Sequence, residues 1–314
     1  MTSKSYTVKK SNNESLIKTL LCVLLVTFTL LLSGEVKKGI YEGLLFSFST
    51  IIPTLFPFFI ISDLWNEYFA VNEKSLISKI FKSILGIPSC ALGAYISGLI
   101  CGFPIGAKSA ADLYNKNKIS LSDLTLISAI SNNPSVAFVI SGIGMGIFGN
   151  IRVGIIMYLS VVFSSLTVCA IFSKRKIEYN YSEEIMRQTF SFPDSVRNAG
   201  LSSINVSSFI ILFSGVIRAL KSFIKSTTVF PIFCSFLEVS NAAREIGGCS
   251  EISKLFRFSL IAFSLGFSGL SVFFQSTSFF PNSMSKSKYL LYKLFQGLLC
   301  AAYSTVFFLS IKCK

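Results

Sequence analysis

The residues with chemical capacity in this 314-residue chain stand inside runs apolar enough for a lipid bilayer, where a polar group is costly and needs a reason. Asn132 and Asn133 are adjacent, each with an amide acceptor and two donors, and Pro134 frees a backbone carbonyl beside them. That break can both donate to and accept from a ligand, although a structural kink would look similar. Glu238 is the sole carboxylate of its apolar segment, followed by Ser240, Asn241 and Arg244. A buried carboxylate must pair, take a proton or bind a cation, so a structural pair with Arg244 or Lys108 and a proton-carrying role stay side by side. Gly102, Phe103 and Pro104 precede Lys108, which either attracts an anion or ends a helix at the interface. Ser268, Gly269, Ser271 and Gln275 combine small residues with an amide, suited to close backbone approach or to plain helix packing.

These residues fall in four interruptions that form two similarly spaced pairs. SGLICGFPIGAK (97–108) precedes SNNPS (131–135), and FLEVSNAAR (236–244) precedes LGFSGLSVFFQ (265–275), each pair separated by about thirty residues. Unwound backbone at membrane depth is tolerated only where protein buries it or it lines a cavity. Interruptions at corresponding places in two halves are the pattern of a secondary transporter. The half-helix N-termini at such breaks carry positive partial charge, which favours the carboxylates of an anionic substrate.

Composition requires a membrane. Hydrophobic residues make up 52% of the chain and charged ones 14%, and the mean hydropathy is +0.65. The apolar runs outlast the strand of a transmembrane barrel, which excludes that class. A net charge of +14 raises the question of nucleic acid, but Lys and Arg cluster between apolar runs without aromatic interleaving, so no nucleic-acid partner is expected. With the N-terminus inside, the basic residues favour the inner loops, Lys293 counted among them. The eight Cys lack a C-x-x-C spacing and read as buried thiols. There is no histidine, no nucleotide-binding loop and no paired membrane carboxylate, so no catalytic residue, metal site or cofactor is expected. An intramembrane enzyme is accordingly disfavoured.

The elements needed to position these groups follow from the breakers. A retained first helix covers Leu16 to Ser33, and a kinked span covers Leu44 to Ile61 with Pro53 and Pro57, ending near an interfacial Trp65. Ile84 to Ala107 holds too many Gly and Pro for a straight span and reads as a re-entrant hairpin. A broken span over Leu124 to Phe148 and an unbroken one over Ile151 to Phe172 follow. In the second half, Ile204 to Val216 is a span, Thr228 to Ala243 a second hairpin, Leu255 to Phe280 a broken span and Leu290 to Ile311 a last span. The fold class is all-α polytopic membrane protein with inverted repeats, each with a re-entrant hairpin and a broken transmembrane helix. The divisions are an N-terminal tail and first helix (1–38), a first repeat (39–172), a polar segment (173–200) and a second repeat (201–314).

CGFPIGAK at Cys101 to Lys108, SNNPS at Ser131 to Ser135, LEVSNAA at Leu237 to Ala243 and GFSGLSVFFQ at Gly266 to Gln275 resemble the sporulation integral membrane proteins called YlbJ or SpoVV. That family shares a nucleoside-recognition gate architecture with concentrative nucleoside transporters. The resemblance covers roughly Pro53 to Ala302. It implies a multi-pass protein of the cell membrane, in the outer forespore membrane, that moves dipicolinic acid out of the mother cell.

Dipicolinate is a planar aromatic dianion. Asn amides, hairpin N–H groups and Lys108 or Arg244 suit its carboxylates, and Phe103, Phe138 or Phe273 suit its ring. The expected substrate-binding set is Gly102, Phe103, Pro104, Lys108, Asn132, Asn133, Ser135, Glu238, Ser240, Asn241, Arg244, Ser268, Gly269, Ser271 and Gln275. Besides an anionic small molecule and the lipid bilayer, a homo-oligomer is an open partner expectation. Two other functions compete: a nucleoside or metabolite transporter of the same fold, and a membrane scaffold for spore assembly that docks partners through 173–198.

Overall fold

The computed structural model describes residues 30–68, 85–173 and 191–312, with single positions at 19, 20, 23, 26, 27 and 83. Most of the expected first span lies outside the described residues, as does the side chain of Trp65. Helices and their connections make up the whole of what is described, with no strand among those residues.

Helix α1 (Ser33–Phe46) runs through a π turn (Ser47–Ile51) into α2 (Ile52–Tyr68). The axis bends by 49° between Ser33–Ile51 and Leu55–Ile61. The predicted kink is therefore present, and its cause is local: Pro53 lacks an N–H and its ring crowds the preceding turn, so the helix widens just before it.

The first hairpin, predicted over Ile84 to Ala107, is α3 (Ala91–Cys101) and α4 (Ile105–Asn115), packed against each other, so its second arm continues past the predicted end to Asn115. Eleven residues rise about 16 Å, roughly half of a hydrocarbon core of about 30 Å, so neither arm crosses. A capping box between Ser120 and Asp123 starts α5 (Leu121–Ser131). The chain then unwinds over residues 132–135, resumes, and passes into a second π segment (Phe138–Met145). Asn150 caps the continuous helix α6 (Ile151–Phe172).

From residue 191 onward a similar order of elements follows. Helix α7 (Phe192–Phe223) begins well before the predicted Ile204, because Ser191 caps it and Pro193 enters its first turn. The end of the expected polar segment 173–200 is thus helical, while 174–190 lies outside the described residues. The second hairpin is α8 (Val229–Leu237) and α9 (Val239–Gly248); the second broken helix is α10 (Lys254–Phe267) and α11 (Gly269–Thr277); the last helix is α12 (Lys286–Lys312). Among the described residues four helical stretches are long and apolar enough to cross a membrane, Ile151–Phe172, Phe192–Phe223, Lys254–Thr277 and Lys286–Ser310, and the bent α1–α2 pair makes a fifth if it is one span.

The packing is inside out relative to a water-soluble bundle. On α6, Ile155, Leu159 and Phe163 recur every four residues on the outer face, whereas Ser160, Ser164 and Ser165 are fully buried. On α7, Leu201, Ile204 and Leu212 face outward while Ser202, Ser203 and Ser207 face in. Apolar side chains turn outward where lipid is the solvent, and small polar ones sit between helices. With the helical fold, this pattern makes the chain a multi-pass membrane protein.

Candidate functional site

The four breaks meet in two pairs. At the first hairpin tip Gly102 has φ +89°, and a Cβ there would lie 2.8 Å from the backbone nitrogen of Ser135 in the second break. Gly98 and Gly106, on the two arms, receive the carbonyl of Ser131, with which a side chain at either position would collide. The second pair repeats the device. Gly269 has φ +75°, and a Cβ there would lie 3.0 Å from the carbonyl oxygen of Leu237, at the second hairpin tip. Ser268, beside it, is also left-handed at φ +74°, so two successive left-handed residues make the fourth break.

The second break is clasped by the far end of the sequence. Asn132 and Asn133 are fully buried. Nδ2 of Asn132 donates to Oγ of Ser276 and to the hydroxyl oxygen of Tyr289, each at 2.7 Å, while its Oδ1 is buried without a partner. Asn133 is used at both ends: Nδ2 donates to the Ile130 carbonyl at 2.6 Å, and Oδ1 accepts from Nε2 of Gln296 at 2.6 Å. The ammonium of Lys293 donates to the Asn132 carbonyl and to Oε1 of Gln296, both at 2.8 Å. Lys293 is 2% exposed, so it is a buried group of α12 rather than the loop charge expected from sequence.

Glu238, also 2% exposed, caps α9. Its carboxylate accepts from the backbone N–H of Ser240 at 2.9 Å, from that of Asn241 at 2.7 Å and from Nδ2 of Asn241 at 2.7 Å. Neither expected ionic partner is needed to hold it there, because a carboxylate is stabilised by helix N-terminal N–H groups. Arg244 is exposed and donates to Oδ1 of Asn241 at 2.7 Å, one residue removed from the carboxylate.

Of the four half-helix N-termini expected to offer N–H groups, two are filled from within. Glu238 occupies that of α9, and Oγ of Ser135 accepts from Phe138 N–H at 3.2 Å in the second break. The N-termini of α4 and α11 carry no side-chain cap. Gly102, Pro104, Ser268, Gly269, Ser271 and Gln275 are buried around those two, with Gln275 donating to Oγ of Ser271 at 3.1 Å. Lys108 is half-buried in the first turns of α4. The rings expected to flank a substrate divide: Phe103 and Phe138 pack on the apolar cluster that contains Val139 and Val239, whereas Phe273 packs on the cluster with Ile130 and Tyr289.

Sequence reasoning missed Tyr289, Lys293 and Gln296. Their signal was present, since Tyr289, Lys293, Gln296 and Cys300 recur at three- and four-residue steps along one face of α12 and all are buried. Composition alone reads that stripe as an ordinary helix end.

Among curated proteins the chain is similar to the sporulation integral membrane protein YlbJ of Bacillus subtilis (strain 168), with 24% identity over 345 aligned positions that cover 93% of this chain and 83% of that protein. The similarity spans both halves and supports the YlbJ family that the four motifs resemble. No protein-family model matches the chain, and no solved structure matches it.

Proposed function

We propose, from the likeness to the YlbJ family and the arrangement of the breaks, that this chain is a sporulation membrane transporter carrying dipicolinic acid out of the mother cell across the outer forespore membrane. The observation that carries the reading is the twice-occurring order of short hairpin, broken helix and continuous helix, with each hairpin tip pressed on the neighbouring break. Such unwound backbone is a liability in a protein that only has to span a membrane, and it is the usual material of a substrate path. Inverted orientation of the two halves belongs to the same proposal.

The substrate site lies at the uncapped N-termini of α4 and α11. Main-chain N–H groups there take carboxylate oxygens, Lys108 adds positive charge at the first hairpin, and Phe103 offers an aromatic edge beside it. Filling of the α9 N-terminus by Glu238 supports selection for a ligand with few anionic groups, since one of the four positive helix ends is already neutralised by the protein itself.

Binding to the purified protein tests this. Saturable binding of dipicolinate, with weaker binding of simple aliphatic dicarboxylates and none of nucleosides, is the expected result. Preference for a nucleoside would transfer the assignment to a neutral-metabolite transporter. No binding by any of the three, with the protein folded, would favour a scaffold.

A further inference from the structure

Lys293 stands out among the described residues as a lysine that is 2% exposed. It is buried in α12, makes no ion pair with a carboxylate among the described residues, and spends its hydrogen bonds on two neutral oxygens, the Asn132 carbonyl and Oε1 of Gln296. The place it reaches is the C-terminal end of the half-helix α5, where the aligned main-chain dipoles of the half-helix leave negative partial charge. Three further oxygens of that turn, Oγ of Ser128, Oγ of Ser131 and Oδ1 of Asn132, are buried without a hydrogen-bond partner. A buried oxygen without a donor costs free energy unless positive charge stands near it. Carbonyl-rich half-helix ends of this kind are where free monovalent cations bind in broken-helix membrane proteins.

We infer that the second break is a seat for a monovalent cation, and that the ammonium of Lys293 fills it as a tethered ion, so that no free sodium or potassium binds there. The ammonium supplies one positive charge held by oxygens of the break and of Gln296, as a coordinated alkali ion would be, and the covalent tether removes the need for the ion. Seating this charge also orders Gln296, whose other end holds Asn133, so the tether fixes the shape of the break. The inference does not depend on the substrate, and loss of dipicolinate binding would leave it untouched.

Cutting the tether tests it. Thermal unfolding of the purified wild type and of Lys293→Ala is compared in sodium, lithium, ammonium and choline chloride at matched ionic strength. The wild type is expected to be indifferent to the cation. Lys293→Ala is expected to unfold at lower temperature in choline and to regain several degrees, saturably, in at least one small cation. Lys293→Met, which keeps the length of the chain and blocks the seat without charge, is expected to be destabilised and unresponsive. If Lys293→Ala does not accumulate, its yield when produced in ammonium or methylammonium against choline gives the same reading, with recovery by the small cations supporting the inference. Identical behaviour of Lys293→Ala in all four salts, or equal failure to accumulate in all, overturns it.

Discussion

The side-chain amide of Gln296 donates to Oδ1 of Asn133 at 2.6 Å, joining residues 163 positions apart. It ties the last helix to the break in a helix of the first half, and the paired asparagines are therefore unequal. Asn133 has both ends engaged inside the protein, whereas Asn132 keeps an unpartnered oxygen.

Asn133→Ala should consequently act on stability before it acts on ligands. It leaves the Gln296 amide buried without its acceptor, a loss of about 1–3 kcal/mol. A lowered midpoint of thermal unfolding is expected, and the double variant Asn133→Ala/Gln296→Leu should fall further rather than recover, because Gln296 Oε1 is also an acceptor for the Lys293 ammonium. An unfolding midpoint equal to wild type would show that the bond contributes nothing.

Glu238→Gln separates a cap from a proton carrier. Three N–H donors occupy both carboxylate oxygens in a helix cap, so in proteoliposome uptake the variant should keep the wild-type response to an imposed pH gradient. Its unfolding midpoint should fall, because an amide offers one acceptor oxygen where the carboxylate offered two; loss of an N-cap costs about 1 kcal/mol. Gradient-driven uptake abolished in Glu238→Gln, with binding intact, would make Glu238 the coupling group instead.

The fourth break gives a paired prediction of opposite signs. Ser268→Gly should stabilise by roughly 1 kcal/mol, since a left-handed backbone penalises any side chain. Gly269→Ala should destabilise by roughly 1–3 kcal/mol, since it adds both that penalty and a Cβ 3.0 Å from the Leu237 carbonyl. Equal effects of the two changes would mean that the break relaxes freely.

Inverted halves predict a specific labelling pattern. Lys116 follows the first hairpin and Lys254 the second, and in a cysteine-free background single cysteines at these positions should be accessible from opposite sides, Lys116 inside and Lys254 outside. Accessibility from the same side would leave a chain with two similar but parallel halves.

Helix class, the membrane environment, the hairpins and all four breaks were legible in the sequence, because each rests on local chemistry. Proline removes a donor wherever it stands, glycine permits a left-handed turn wherever one is needed, and an apolar run of sufficient length has to be buried or meet lipid. The start of α7 was misjudged because Phe192 and Pro193 follow polar residues, and only the Ser191 cap shows that the helix has begun. What the sequence could not decide was which oxygens and amides are already spent. Glu238 looked like a charge in search of a partner until its neighbours Ser240 and Asn241 folded onto it, and Lys293 looked like a loop charge until α12 carried it to the Asn132 carbonyl. Those outcomes depend on contacts between distant segments, whose free energy is set by packing geometry and the exclusion of water, and neither is encoded in the identity or the spacing of the residues alone.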